Sequence, residues 1–215
     1  HELLERMLYS LPFDHYICVS ETTKRDVLRL GKDVRKVLTI YNGLDYDFWN
    51  RALVLKRDII ALRRQLGLEK KYVGFAWGRP GNSKGFEYLI QAVPEIVKVR
   101  PDFVLLLMFG SVEKYQEKYD ELLQLVDETK VKEHFKIIPS LPNDQLRKYL
   151  AMVDLVIVPS ISEGFGFNAL QAVAMGKPLL VSDAGSLPEI VGGKYQIFKA
   201  KNSKELAEKA LLLMG

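Results

Sequence analysis

Two short stretches of this chain concentrate residue types that hold anions. The first is Gly78-Arg79-Pro80-Gly81-Asn82-Ser83-Lys84-Gly85, a glycine-rich turn carrying two cations. Arg offers a planar fork that meets phosphate oxygens bidentately, and Lys a compact point charge. The second is Glu163-Gly164-Phe165-Gly166-Phe167, which opens a nearly all-apolar run through Met175 with Gly176 and Pro178 behind it. That is a helix start and a helix stop at a plausible separation. Unsatisfied N–H groups at a helix N-terminus carry roughly half a positive charge, and Gly164 and Gly166 let an anion approach the backbone. Phosphate binding is the chemistry that suits both stretches. Each also has a plainer reading. The first could be a Gly/Pro turn with solvated charges, and Glu163 a first-turn acid worth only ~0.3–1 kcal/mol to its helix. A Walker-type P-loop does not fit, because it needs Gly immediately before its Lys and position 83 is Ser.

Alternating strands and helices must position these residues. Short strands are predicted at 16–20 and 36–41, with a helix between them capped by Ser20 or Thr22 and ending before Gly31. Beyond a helix at 58–66, strands are expected at 72–77, 103–109, 135–138, 155–158, 179–182 and 195–198. Helices are expected at 85–99, 115–128, from Asn143 or Asp144 (as cap) to 151, at 165–175, near 186–191 and at 203–213. Pro94 should kink the first of these or mark its second half. Continuous apolar strands alternating with helices imply an α/β fold, a doubly wound parallel sheet with helices on both faces. The run at 165–175 is too apolar for a surface and should be buried against that sheet. The anion-binding helix start would then lie at the carboxyl end of a strand, where open α/β sheets bind ligands.

Bulk properties exclude several classes. A length of 215 residues allows one or two compact α/β units. The 31 Lys and Arg against 27 Asp and Glu give a net charge of +4. With a pI near 9.0 this suits an anionic small ligand or an anionic membrane surface. No basic stripe interleaved with aromatics is present, so nucleic acid is not an expected partner. Cys18 is alone, which excludes a disulfide framework and points to a reducing compartment. No apolar run approaches the length of a membrane span and no signal peptide is visible. His1, His15 and His134 lack metal-ligand spacing, and Ser162 lacks the pattern of a hydrolase triad. Asp45-Tyr46-Asp47 has the form of a D-x-D metal motif but is better read as a solvated turn.

The second stretch resembles the E-G-F-G…E-A-x-A-x-G-x-P signature of retaining glycosyltransferases of the GT-B fold, family four (glycosyl transferases group 1). Glu163, Gly164, Phe165, Gly166, Ala172, Ala174, Gly176 and Pro178 match. The family's second glutamate is Gln171 here. The 78–85 loop is similar to the family's G-R-x…x-K-G element. Ser20, Glu21, Asp26, Asn42, Gly43 and Asp45 match the S-E-x-x-x-x-D and N-G-x-D run at the end of its first domain. The turn at 183–189 matches S-D-x-G-G-x-P-E with Ser186 for a second Gly, and packing and loop shape are its expected job.

The resemblance spans nearly the whole chain, and its implications are specific. Residues 1–50 would be the end of an acceptor-binding N-terminal domain plus linker. Residues 51–215 would be a Rossmann-like nucleotide-sugar domain lacking its final crossover helix. The donor would be a nucleotide-diphosphate sugar with hexosyl as the transferred group, with no metal or other cofactor required. Arg79, Lys84 and backbone groups at 164–167 would hold the diphosphate, and Glu163 the sugar hydroxyls; Gly78 belongs to the same loop. Gln171 would meet the ribose, and Gly110, Ser111, Ile138 and Pro139 the base. The missing N-terminal domain is the implied partner, and peripheral membrane contact through it is a further implication. The implied location is cytoplasmic, with the inner face of the membrane as the alternative. A GT-B epimerase or phosphorylase, a non-catalytic nucleotide-sugar-binding module and a flavodoxin-like partner domain remain open as other readings.

Overall fold

The structure, a computed structural model, describes residue 11 and residues 13–215; His1 and the rest of 1–10 lie outside that set. Strands β1 (Tyr16–Cys18) and β2 (Val37–Thr39) pair in parallel around helix α1 (Glu21–Arg29). Ser20 caps α1 in a capping box with Thr23, satisfying N–H groups that the helix leaves open. Cys18, Val27 and Val37 close a small core between these elements.

The remaining elements are α2 (Lys56–Leu66), β3 (Tyr72–Gly78), α3 (Phe86–Val99), β4 (Phe103–Phe109), α4 (Gln116–Glu128), β5 (Phe135–Ile138) and α5 (Asn143–Met152). They continue with β6 (Leu155–Val158), α6 (Phe167–Ala174), β7 (Leu179–Ser182), α7 (Leu187–Ile190), β8 (Tyr195–Phe198) and α8 (Ser203–Met214). The strands form one six-stranded sheet in the order β5-β4-β3-β6-β7-β8, parallel throughout. The chain runs outward from β3 to β5, then returns to lay β6 beside β3. Strand order reverses there, and β3/β6 is the topological switch point. β3 and β4 register along their whole length, whereas β3 and β6 register only at Gly74↔Leu155 and Phe75↔Val156.

Two cores explain why the inner strands β4, β6 and β7 read as unbroken apolar runs. Val104, Leu106 and Met108 of β4 face one side with Leu146 and Leu150 of α5 and Ala169 and Ala172 of α6. Phe103, Leu105, Leu107 and Phe109 face the other with Leu89, Val93 and Ile96 of α3 and Leu206 and Ala210 of α8. A strand buried on both faces has no polar side to alternate with. Each fully buried Leu or Phe side chain contributes about 1.5–3 kcal/mol. Trp49 and Val54, with Leu44 and Phe48 against them, belong to the first core, so packing onto the large sheet begins ahead of the expected division at 50/51.

Local corrections are few. α5 is capped by Pro142 in extended conformation without a side-chain bond, so Asn143 is its first residue rather than its cap. α3 keeps one span through Pro94. α6 begins at Phe167 rather than 165, because Gly166 takes φ 96° and interrupts helical geometry there. Nor is α6 buried all round: Ala169 and Ala172 are in the core, but Phe167 is 46% exposed.

Candidate functional site

Both stretches expected to bind an anion leave the carboxyl ends of the strands that flank the switch point. Residues 79–85 follow β3 and residues 159–166 follow β6. The two loops are bonded to each other, since the N–H groups of Ile161 and Ser162 donate to the Ser83 carbonyl at 2.8 and 3.2 Å. Gly85 makes this approach possible. Its φ is 63°, and a Cβ there would lie 2.1 Å from the Pro159 carbonyl oxygen. The Asn168 amide of α6 donates to the Trp77 carbonyl at 2.6 Å, a third tie between the loops' flanking elements.

At the junction the Lys84 ammonium meets the Glu163 carboxylate at 2.7 Å, with side chains only 18% and 17% exposed. The Ser160 hydroxyl donates to the same Oε2 at 3.2 Å, and its carbonyl accepts from Ser182. Removing two charges from water costs several kcal/mol per ion unless each finds a partner, and here each is the other's. Sequence reasoning gave Lys84 to a phosphate and Glu163 to a sugar; the structure brings them into direct contact. Arg79 is exposed and its guanidinium makes no hydrogen bond or ion pair among the described residues. Gly78 ends β3, and its carbonyl accepts from Gly110 N–H at 3.0 Å.

Gly164 is exposed and Phe165 is buried, with its ring 5.1 Å from that of Phe167. α6 has no side-chain N-cap. The N–H groups of Gly164, Phe165 and Gly166 donate to no acceptor among the described residues. The start of α6 is therefore electropositive and open. Gln171 lies on α6, half-buried, with no side-chain hydrogen bond among the described residues.

An open cavity of about 630 Å³ is lined by Phe109, Ser111, Val112, Ile137, Ile138 and Pro139, among others. It occupies the carboxyl edge of β4 and β5. Ser111, Ile138 and Pro139 thus share one concavity, with Gly110 at the end of β4 beside them. Ser111 adopts φ 54°, turning the chain sharply at the rim. Tyr115, a few residues on, has its ring 3.5 Å from where a Gly81 side chain would begin.

Glu189 is the residue whose importance the sequence did not reveal. Its carboxylate accepts from the N–H groups of Glu21 and Thr22, both at 2.8 Å, and from the Thr22 and Tyr41 hydroxyls. Burial pushes its pKa up, but these bonds outweigh it and hold the group below the usual glutamate value. The signal available was an acid in the 183–189 turn and a capping sequence at Ser20, with nothing in either to say that they meet. Asp45 accepts from Phe48 N–H at 2.9 Å and closes a turn. His134 holds the Phe103 carbonyl at 2.7 Å. Among the described residues no group of three or more His, Cys, Asp or Glu is placed to hold a metal ion, and no helix is long and apolar enough to cross a membrane.

The chain is similar to several known proteins. An uncharacterized glycosyltransferase of Methanocaldococcus jannaschii is 32% identical over 179 residues, covering 81% of this chain and 44% of its own length. A D-inositol 3-phosphate glycosyltransferase of Nocardia farcinica is 33% identical over 164 residues, covering 74% of this chain and 36% of its own length. Among solved structures, Anabaena HepE in complex with UDP-glucose superposes with a TM-score of 0.81 at 25% identity, over 94% of this chain and 54% of that one. The chain thus spans about half, or less, of the length of these proteins. The family model described as "Glycosyl transferases group 1" matches residues 58–214, from α2 through the last helix and across both loops of the site. The chain belongs to the glycosyl transferases group 1 family.

Proposed function

We propose that this chain is the donor-binding half of a retaining glycosyltransferase that moves a hexosyl group from a nucleotide-diphosphate sugar to an acceptor. The observation that carries this reading is the Lys84–Glu163 contact at the switch point, with an exposed Arg79 on one loop and the open start of α6 on the other. That junction presents cations and N–H groups for a diphosphate next to a carboxylate for sugar hydroxyls. The open cavity would take the nucleoside, with Ser111, Ile138 and Pro139 against the base. Anabaena HepE, bound to UDP-glucose in its crystal structure, supports a donor of this class.

In this reading the bond between the anomeric carbon and the diphosphate oxygen breaks, its electron pair leaving on that oxygen. The acceptor hydroxyl forms the new bond on the same face, and its proton departs with the diphosphate. No side chain need be a strong base. Catalysis rests on preorganised charge where negative charge develops, supplied by Arg79, Lys84 and the 164–167 amides, so no metal is invoked. Glu163 orients the sugar and Gln171 the ribose. The acceptor is read by the absent N-terminal domain, and this chain alone binds donor but transfers little.

Thermal-shift and calorimetric titration against UDP-, GDP- and ADP-sugars tests the binding half of the proposal, and sugar transfer by the full-length protein tests the rest. Saturable binding of one of these donors is the expected result. Binding of none of them, by a folded protein, would overturn it.

A further inference from the structure

Glu189 takes no part in the chemistry proposed above, yet it ties two distant parts of the chain together. Its oxygens accept from the first N–H groups of α1 and from the Thr22 hydroxyl at 2.5 Å and the Tyr41 hydroxyl at 3.1 Å. A carboxylate on these groups is doubly favoured, by the orphan donors and by the positive end of the helix. The side chain is 18% exposed, sheltered from competing water.

The same contact reaches the Glu163 loop through the backbone. The Thr22 hydroxyl also lies 3.1 Å from the Gly185 carbonyl. Gly185, at φ 55°, backs directly onto Glu163: a Cβ there would lie 2.0 Å from the Glu163 carbonyl oxygen. That oxygen accepts from Ser186 N–H at 3.2 Å. One residue on, the Gly164 carbonyl accepts from the fully buried Ser20 hydroxyl at 3.0 Å. The cap of α1 and the β7–α7 turn therefore grip the backbone of 163–164 from behind, while the Glu163 carboxylate faces Lys84 in front.

We propose that Glu189 is a positioning residue for Glu163. By fastening the start of α1 onto the β7–α7 turn, it fixes the 163–164 peptide groups and sets where the Glu163 carboxylate stands. For the sugar this rests on the function proposed above; the mechanical link between Glu189 and the loop does not.

The test uses the full-length protein and the variants Glu189→Ala, Thr22→Val, Glu163→Gln and Glu189→Ala with Glu163→Gln. Thr22→Val removes the shared hydroxyl and keeps the comparison alive should Glu189→Ala fail to fold. Without any ligand, hydrogen exchange should quicken in peptides spanning 162–167 and at the start of α1, with β4 unchanged. Glu189→Ala should weaken a glucose donor (UDP-, GDP- or ADP-glucose, whichever binds) about tenfold, the scale of a charged hydrogen bond, and the matching free diphosphate far less. On the Glu163→Gln background it should weaken the donor no further, since the two act as a unit. Unchanged exchange at 162–167 would refute the link whether or not a donor binds. Additive effects, or equal losses for nucleotide and nucleotide sugar, would reduce Glu189 to a stabiliser of the fold. If the wild type binds no nucleotide sugar, the proposed function falls, and the exchange measurement still decides the link.

Discussion

Lys84 and Glu163 lie 79 residues apart in the chain and 2.7 Å apart in space. Each shields the other's charge, so cutting either side chain leaves a poorly solvated ion as well as a lost contact. In the proposed reaction, Lys84→Ala should cost the full-length protein about a hundredfold or more in turnover, corresponding to the ~2.7–4 kcal/mol typical of a single transition-state donor. Steady-state kinetics checks this, with a melting curve to show that the variant stays folded. Gln171 carries a second residue-level prediction. A neutral amide accepts a hydroxyl bond worth ~0.5–1.5 kcal/mol against ~1.5–3 for a carboxylate, so Gln171→Glu should tighten donor binding about tenfold in calorimetry. Arg79, Lys84 and Glu163 stood out in the sequence because glycine-rich turns beside apolar runs mark them, and Gln171 only through the family resemblance. The Lys84–Glu163 pairing and the Glu189 cap were not, since both depend on which strand ends the topology makes neighbours.

At the level of elements, the loops after β3 and β6 are held by backbone contact, and Gly85 is the point of closest approach. Gly85→Ala would place a methyl 2.1 Å from the Pro159 carbonyl at φ 63°. Left-handed backbone alone costs an alanine about 1–2 kcal/mol, and the clash must also be relieved by moving a loop. Chemical denaturation should show a loss of at least about 3 kcal/mol, the upper end for a strained residue. At the end of α5, Lys177 donates to the Ala151 and Val153 carbonyls, both at 2.8 Å. Burial, with Arg51 nearby, lowers its pKa to about 8 from 10.5. The folded state therefore releases this proton between about pH 8 and 10.5, while the unfolded chain keeps it. Stability should rise with pH across that window, by on the order of 1–2 kcal/mol relative to Lys177→Met. Unfolding curves at about pH 7 and about pH 10 check the sign. Element boundaries were legible where physics is monotonic. β4, β6 and β7 match their apolar runs because a strand buried on both faces has only one kind of residue to show. The start of α6 and the cap of α5 were missed by a residue or two, since one glycine dihedral decides the first and a proline replaces a side-chain cap at the second.

On the scale of the whole molecule, the sheet is two three-strand halves joined at β3/β6, and the register there spans only Gly74↔Leu155 and Phe75↔Val156. The fold class follows from alternation and was legible; strand order was not, because apolar runs carry no information about which neighbour they choose. The short seam has a mechanical consequence. Past Phe75 the strand register ends and the halves are tied through their loops instead, at Ser83 and Gly85 on one side and 159–162 on the other, and every group proposed for the diphosphate stands on one side of that seam or the other. A molecule bound across that seam would add a further tie between the halves, and the amide of Trp77, on the side of β3 that faces β6, should slow its exchange when it arrives.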